Sequence, residues 1–446
     1  MSIISASFIK DKRLFAIAFA AFVRMGCFGF KYYPQLDDYI QYGRYPYAEK
    51  PFSQIFIKIG LYAARPLAGL GDIYLWGRLW RNMGFAFFII TLLHILSAYI
   101  FVVTSDKLNK PVGVIFIVFY LLCPVNIEGS YWISASSRIV VGLFFASLSA
   151  YYLVRCKAGL FALFQFIAMF LYEQVAILSF VMSFMIILYI KKRRNFYGLI
   201  FNCLFFVLYY KVFSSAGSFG YRSALAVNFS AAENIVRSWT LLPLYTNGFA
   251  RGLEISGMYL FSILIAALLL QFSDKPKKPD IMLALSGVLL FLLPYLPFFI
   301  LQNSFVSMRT CFVPLVGLAV FLDSLIRIPL RRFIAFAAAF VFMVICVSEL
   351  FDYRQNYFSD QKIAAYIAER LDDSKVNAVT DAKEAYVQQN AFFAEHIKSV
   401  ASSDWALTGC VREHTGDFSI PLIQVNPENT AGKNVISLLY LPSPTY

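Results

Sequence analysis

Long apolar runs alternate with short polar turns along most of this chain. A helix needs roughly 17–25 mostly apolar residues to cross a bilayer. Segments of that character lie near 14–30, 83–104, 111–126, 138–154, 158–172, 174–190, 196–213, 252–272, 281–301, 311–326 and 333–350, predicting about eleven spans. After 351 the pattern changes. Gln361–Leu371 has a helical period, and Val376–Thr380, Ile420–Val425 and Val435–Leu441 read as short strands. The predicted fold class is an all-α polytopic membrane protein over residues 1–351, followed by a small α/β domain over 352–446.

The polar turns sort by charge. With the N-terminus placed in the cytoplasm, Lys10, Lys12 and Arg13 fall inside. So do Lys107 and Lys110, Arg155 and Lys157, Lys191–Arg194, Lys275 to Lys278, and Arg327 to Arg332. Every second turn is basic, which is the positive-inside pattern. The basic start with no small-residue cleavage site after it reads as an uncleaved first span. The opposite side then receives a first loop over 31–82, the 126–138 turn, a loop over 214–251 and the C-terminal domain. Within the first loop, Phe52–Ala63 spaces its apolar residues as an interfacial amphipathic helix, with Pro51 at its first turn.

Composition agrees: the chain is 59% hydrophobic and 15% charged, which excludes an ordinary soluble domain. The net charge of +13 lies in the membrane part, because 352–446 holds 8 Lys and Arg against 12 Asp and Glu. It reflects topology and lipid-facing loops and gives no sign of a nucleic-acid partner. Seven cysteines and three histidines (His94, His396, His414) lack metal-ligand spacing. There is no P-loop and no dinucleotide-binding glycine pattern, so no soluble nucleotide site is expected.

The strongest candidate chemistry is Asp37-Asp38, two acids at the exit of the first apolar run inside an aromatic stretch. Carboxylates there are costly to bury and suit proton abstraction from a hydroxyl. The bland alternative is an ion pair to Lys31 or Arg44. Adjacent side chains point in different directions, so one acid is expected to work and the other to be structural. Glu128 and Trp132 share the 126–138 turn with Ser134, Ser136, Ser137 and Arg138. Trp132 could stack on a sugar while Glu128 bonds its hydroxyls, or be an ordinary interfacial aromatic. Arg138 could hold a phosphate or pair with Glu128. Glu173 sits in a very short turn between apolar runs, and Arg44, Arg65 and Arg309 are outer arginines able to hold phosphate or lipid headgroups.

The span count, the long first loop and the acid after the first span resemble the GT-C superfamily of membrane glycosyltransferases. More narrowly, Asp37-Asp38-Tyr39 with Arg44, followed by Ala64-Arg65-Pro66-Leu67-Ala68, resembles the bacterial Gtr-type (GtrII-like) glucosyltransferases that decorate surface polysaccharide. The resemblance covers about residues 1–351 and leaves the tail unmatched. It implies GT-C-like architecture and transfer of glucose or a related hexose from a polyprenyl-phosphate donor. The acceptor it implies is a surface polysaccharide or lipid-linked glycan at the outer face of a bacterial cytoplasmic membrane. It implies Asp37 or Asp38 as the base and no cofactor, although two adjacent acids could bind a divalent metal. A transporter or flippase for lipid-linked glycans, or a non-catalytic assembly subunit, would share the spans and the outer arginines.

Overall fold

Each of the apolar segments is helical in the computed structural model. The structure describes residues 11–27, 29–40, 50–57, 65–191, 194–212, 227–240, 242–274, 279–300, 306–326, 330–381 and 397–440. Asp11 accepts from the Arg13 backbone amide and so caps the first helix, α1 (Lys12–Gly26). There follow α2 (Met83–Lys107), α3 (Val114–Leu122), α4 (Ile133–Val154), α5 (Ala158–Met169), α6 (Glu173–Ile190) and α7 (Arg194–Val212). Next come α8 (Ser230–Trp239), α9 (Leu242–Ser256), α10 (Tyr259–Leu270), α11 (Ile281–Leu292), α12 (Met308–Leu325) and α13 (Leu330–Ala368).

Among the described residues six helices are long and apolar enough to cross a membrane, or up to eight if each of two bent pairs is one span. The bent pairs are Val114–Leu122 with Pro124–Tyr131, at 43°, and Tyr245–Ser256 with Tyr259–Ser273, at 116°. Pro124 cannot donate a backbone hydrogen bond, which accounts for the first bend. Gly257, at φ +37, permits the second. Fewer helices therefore meet the length test than the eleven expected. The helix near 14–30 stops at Gly26, and Ala158–Met169 has 12 residues.

The helix ends form two polar groups. At the ends expected to be cytoplasmic, Arg13 bridges Asp11 and Asp106 at 2.7 and 2.6 Å, and Lys110 pairs with Asp280. Asp280 also caps α11 through the Leu283 amide. Nearby, buried Arg331 contacts Asp274 at 2.8 Å and Asp323 at 2.5 Å, while Asp323 accepts from the Gly113 and Phe116 amides. The residues expected on the outer side gather at the other group, described below. Between them α11 and α12 meet backbone to backbone at Gly287 and Gly317. A Cβ on Gly317 would stand 2.1 Å from the Phe291 nitrogen. Small residues at such crossings are a common solution for helices packed in lipid. The apolar face of α7 (Tyr197, Phe201, Leu204, Leu208) is exposed, as a lipid-facing helix would leave it.

The expected interfacial helix begins as drawn, with Pro51 capping Phe52–Ile55. Residues 58–64 lie outside the described residues.

The C-terminal part is α/β, with a different junction. Helix α13 runs unbroken for 39 residues through the boundary expected at 351 and absorbs the helix expected at Gln361–Leu371 up to Ala368. Beyond it come β1 (Asn377–Thr380), α14 (Asp404–Thr415), β2 (Gln424–Val425) and β3 (Asn434–Ser437). The sheet is parallel in the order β2-β1-β3, with Ala378 opposite Gln424 and Val435. Gly416 ends α14 in the left-handed conformation at φ +73. The α14 helix packs on α13 and on the first-loop turn Leu36–Tyr39.

Candidate functional site

The turn Leu36–Tyr39 is a single 3₁₀ turn, and it sends the two acids in different directions. Asp38 is fully buried. One of its oxygens accepts from the Ser134 amide at 2.9 Å. The other accepts from the Gln35 amide at 2.9 Å and the Tyr32 hydroxyl at 2.5 Å. Tyr32 itself accepts from the Ile133 amide, so Asp38 ties the first loop to the head of α4. Burial lifts its carboxyl to about 6, against the opposing pull of those hydrogen bonds. Donors from the protein thus hold both Asp38 oxygens, which leaves Asp37 as the more accessible acid of the pair.

Asp37 faces elsewhere. Its side chain keeps 24% of its surface and pairs with Arg309, in the first turn of α12. Ser307 and Thr310 form a capping box there, which fixes where that turn begins. The Arg309 guanidinium also stands 3.5 Å from Glu128, and its backbone amide donates to Glu128 at 3.3 Å. Glu128 sits in the short helix Ile127–Tyr131 and is nearly buried. One arginine thus holds two carboxylates.

Two further ion pairs adjoin this one. Arg65 directs its Nε at both oxygens of Glu173, at 2.9 and 2.7 Å, and lies 4.4 Å over the Tyr172 ring. Arg138 donates to Asp72 at 2.7 Å, and the Asp72 side chain is wholly buried. The Tyr172 ring lies under the Arg65 guanidinium, next in sequence to Glu173. Three arginines thus hold four carboxylates: Arg309 with Asp37 and Glu128, Arg65 with Glu173, and Arg138 with Asp72.

Most of the candidate residues converge here: Asp37, Arg65, Glu128, Arg138, Glu173 and Arg309. Two expectations change. Arg138 pairs with Asp72 and not with Glu128, because Glu128 is turned toward Arg309. Trp132 is 4% exposed and meets the Tyr353 ring edge-on, so it presents no open face for stacking on a sugar. Arg44 lies outside the described residues. The sequence reading missed Tyr172, although it neighbours Glu173, and gave Asp72 no partner. No spacing rule links Tyr172 to Arg65, which is more than a hundred positions away.

Among the described residues no group of three or more His, Cys, Asp or Glu is arranged to hold a metal ion. The carboxylates of the cluster face arginines, which complete their charge without one. The chain matches no known family, no curated protein and no solved structure.

Proposed function

We propose that this protein is a membrane hexosyltransferase that uses a polyprenyl-phosphate sugar, glucose or a related hexose, as donor. The observation that carries the reading is the Asp37–Arg309 pair, a partly accessible carboxylate held beside a guanidinium at a helix end with two more arginines adjoining. A phosphate arriving from the lipid competes with Asp37 for Arg309. Released from that pairing, Asp37 takes the proton of the acceptor hydroxyl. The acceptor oxygen bonds to the anomeric carbon as the bond from that carbon to the phosphate oxygen breaks. Polyprenyl phosphate leaves, its charge met by Arg309 with Arg65 and Arg138. The acceptor is a surface polysaccharide or lipid-linked glycan.

The finer topology belongs to the same proposal: about eleven crossings, including bent and short ones, with the N-terminus in a bacterial cytoplasm and the C-terminal domain outside. Its support is that residues expected on one side of the membrane contact one another, in both polar groups. A transporter reading wants ionic groups along a path through the membrane, and these groups gather at helix ends.

The test is transfer from polyprenyl-phosphate glucose, and from other prenyl-phosphate hexoses, by the purified chain in vesicles. Labelled hexose on a glycan acceptor is expected with the parent chain and not with Asp37→Asn. Equal transfer by a correctly folded Asp37→Asn variant overturns the assignment.

A further inference from the structure

We infer that the C-terminal domain is a positioning device for the acid turn: it sets where Asp37 stands relative to Arg309. This rests on the catalytic reading of Asp37, and the unmatched tail thereby gains a role in the reaction.

Two contacts carry the inference. The first is steric. Tyr39, next to Asp38, is completely buried, and its phenol stands beside the Cys410 thiol of α14. The α14 helix approaches it at Gly409. A Cβ on Gly409 would lie 2.7 Å from the Tyr39 carbonyl oxygen and 2.8 Å from the Tyr39 Cβ. The nearest obstacle is backbone, which cannot rotate away, so any side chain at 409 must move the turn or the helix. The second is a chain of hydrogen bonds. Gln35, whose amide holds Asp38, also donates through its side chain to the Tyr353 carbonyl at 2.9 Å. Asn356 donates to the Gln35 side-chain oxygen at 2.9 Å and to Asp360 at 3.3 Å. Asp360, fully buried, accepts from the Ser399 hydroxyl at 2.6 Å and the Val400 amide at 3.1 Å. The path runs from the acid turn, through α13, into the C-terminal domain without a gap. Tyr33 adds a third contact, its ring packing on Tyr357 and Phe358 at 5.7 and 6.0 Å.

Among the described residues no hydrogen bond or ion pair ties these groups to Arg138 or Arg309, so donor affinity and acid placement are separable. The variants are Gly409→Val, which pushes on the turn, and Asn356→Ala, which cuts the hydrogen-bond chain without adding volume. Each is followed by transfer kinetics in vesicles and by hydrogen exchange of the full chain in detergent. A displacement of the base by an ångström can cost about a hundredfold in rate, so kcat is expected to fall about tenfold to a hundredfold while the donor KM stays within about twofold. Exchange is expected to rise over residues 33–40 and stay unchanged in the spanning helices. Unchanged kcat in a folded variant overturns the inference. So does raised exchange throughout the protein, which marks a general loss of stability. If Gly409→Val does not accumulate as folded protein, Asn356→Ala decides. If the parent chain transfers no hexose from any donor, the functional reading has failed. The exchange measurement then still tests whether the domain holds the turn.

Discussion

Asp37 and Arg309 are bound to one another across 272 positions of sequence. The pair joins a turn in the first loop to the first turn of α12, and no other described contact of the cluster brings those two elements together so directly. The same guanidinium also reaches Glu128 at 3.5 Å.

Asp37→Asn is expected to lower hexosyl transfer by about 10²–10⁴, the usual size of a general-base contribution. Folding should persist, because the amide still accepts from Arg309. Size-exclusion profile and transfer rate, measured on the same preparation, separate the two effects.

Arg309→Lys and Arg309→Ala should differ. Lysine keeps the charge and loses the planar fork that reaches two carboxylates, so transfer should fall while the fold holds. Alanine leaves Asp37 and Glu128 facing each other without a cation, and thermal stability should fall too. A double-mutant cycle of Asp37→Asn with Arg309→Gln should show strong coupling in rate. Additive effects would mean that the pair does not act as a unit.

Asp38 gives a pH signature of its own. Its carboxyl is raised from 3.8 to about 6 by burial, so in that interval the folded chain holds a proton that the unfolded chain has released. Stability from this group is therefore fully present below the unfolded value and is lost as pH rises toward 6. The melting temperature in detergent should fall between pH 4 and 6 relative to Asp38→Asn, then run parallel above 6. A parent melting temperature that instead rises relative to Asp38→Asn between pH 4 and 6 would contradict that burial.

Gly317→Leu should be severe without touching the site. The added side chain would enter the backbone of α11 at Phe291 and Leu290. Overpacking a core typically costs about 1–3 kcal/mol, and a backbone-to-backbone contact has less room to relax. The expected outcome is a loss of folded yield, read as fluorescence-detected elution of the tagged chain.

Much of this was legible in the sequence because apolar length and basic turns are strong, local signals. Every expected span falls on helix, two of them on bent pairs, and the expected strands at Val376–Thr380 and Val435–Leu441 overlap β1 and β3. What the pattern could not give was where helices bend or stop. A hydropathy run reads the same through Gly257 as through a straight helix, yet the chain turns by 116° there. It likewise divided the chain at 351, where apolar residues end, although helical propensity continues to Ala368. The site was legible in its members and not in its pairings. Asp37 and Asp38 were expected to differ, but which one is accessible depends on Ser134 and Tyr32 claiming Asp38. Gly409 carries no local mark at all, since its need arises only where Tyr39 meets α14.

The unbroken run of α13 has a mechanical meaning. At 1.5 Å per residue its 39 residues form a rod of about 58 Å, against roughly 30 Å of hydrocarbon. Nearly half of that length exceeds what one upright crossing needs. A rod of this kind transmits phase as well as length. One residue inserted near Phe351 would swing everything beyond it by about 100° and raise it by about 1.5 Å. Asn356 would then point away from Gln35, although no residue of either had been altered. The register of the Tyr353–Asp360 stretch against the apolar part of the helix is thus fixed by geometry as firmly as the identities of the residues themselves.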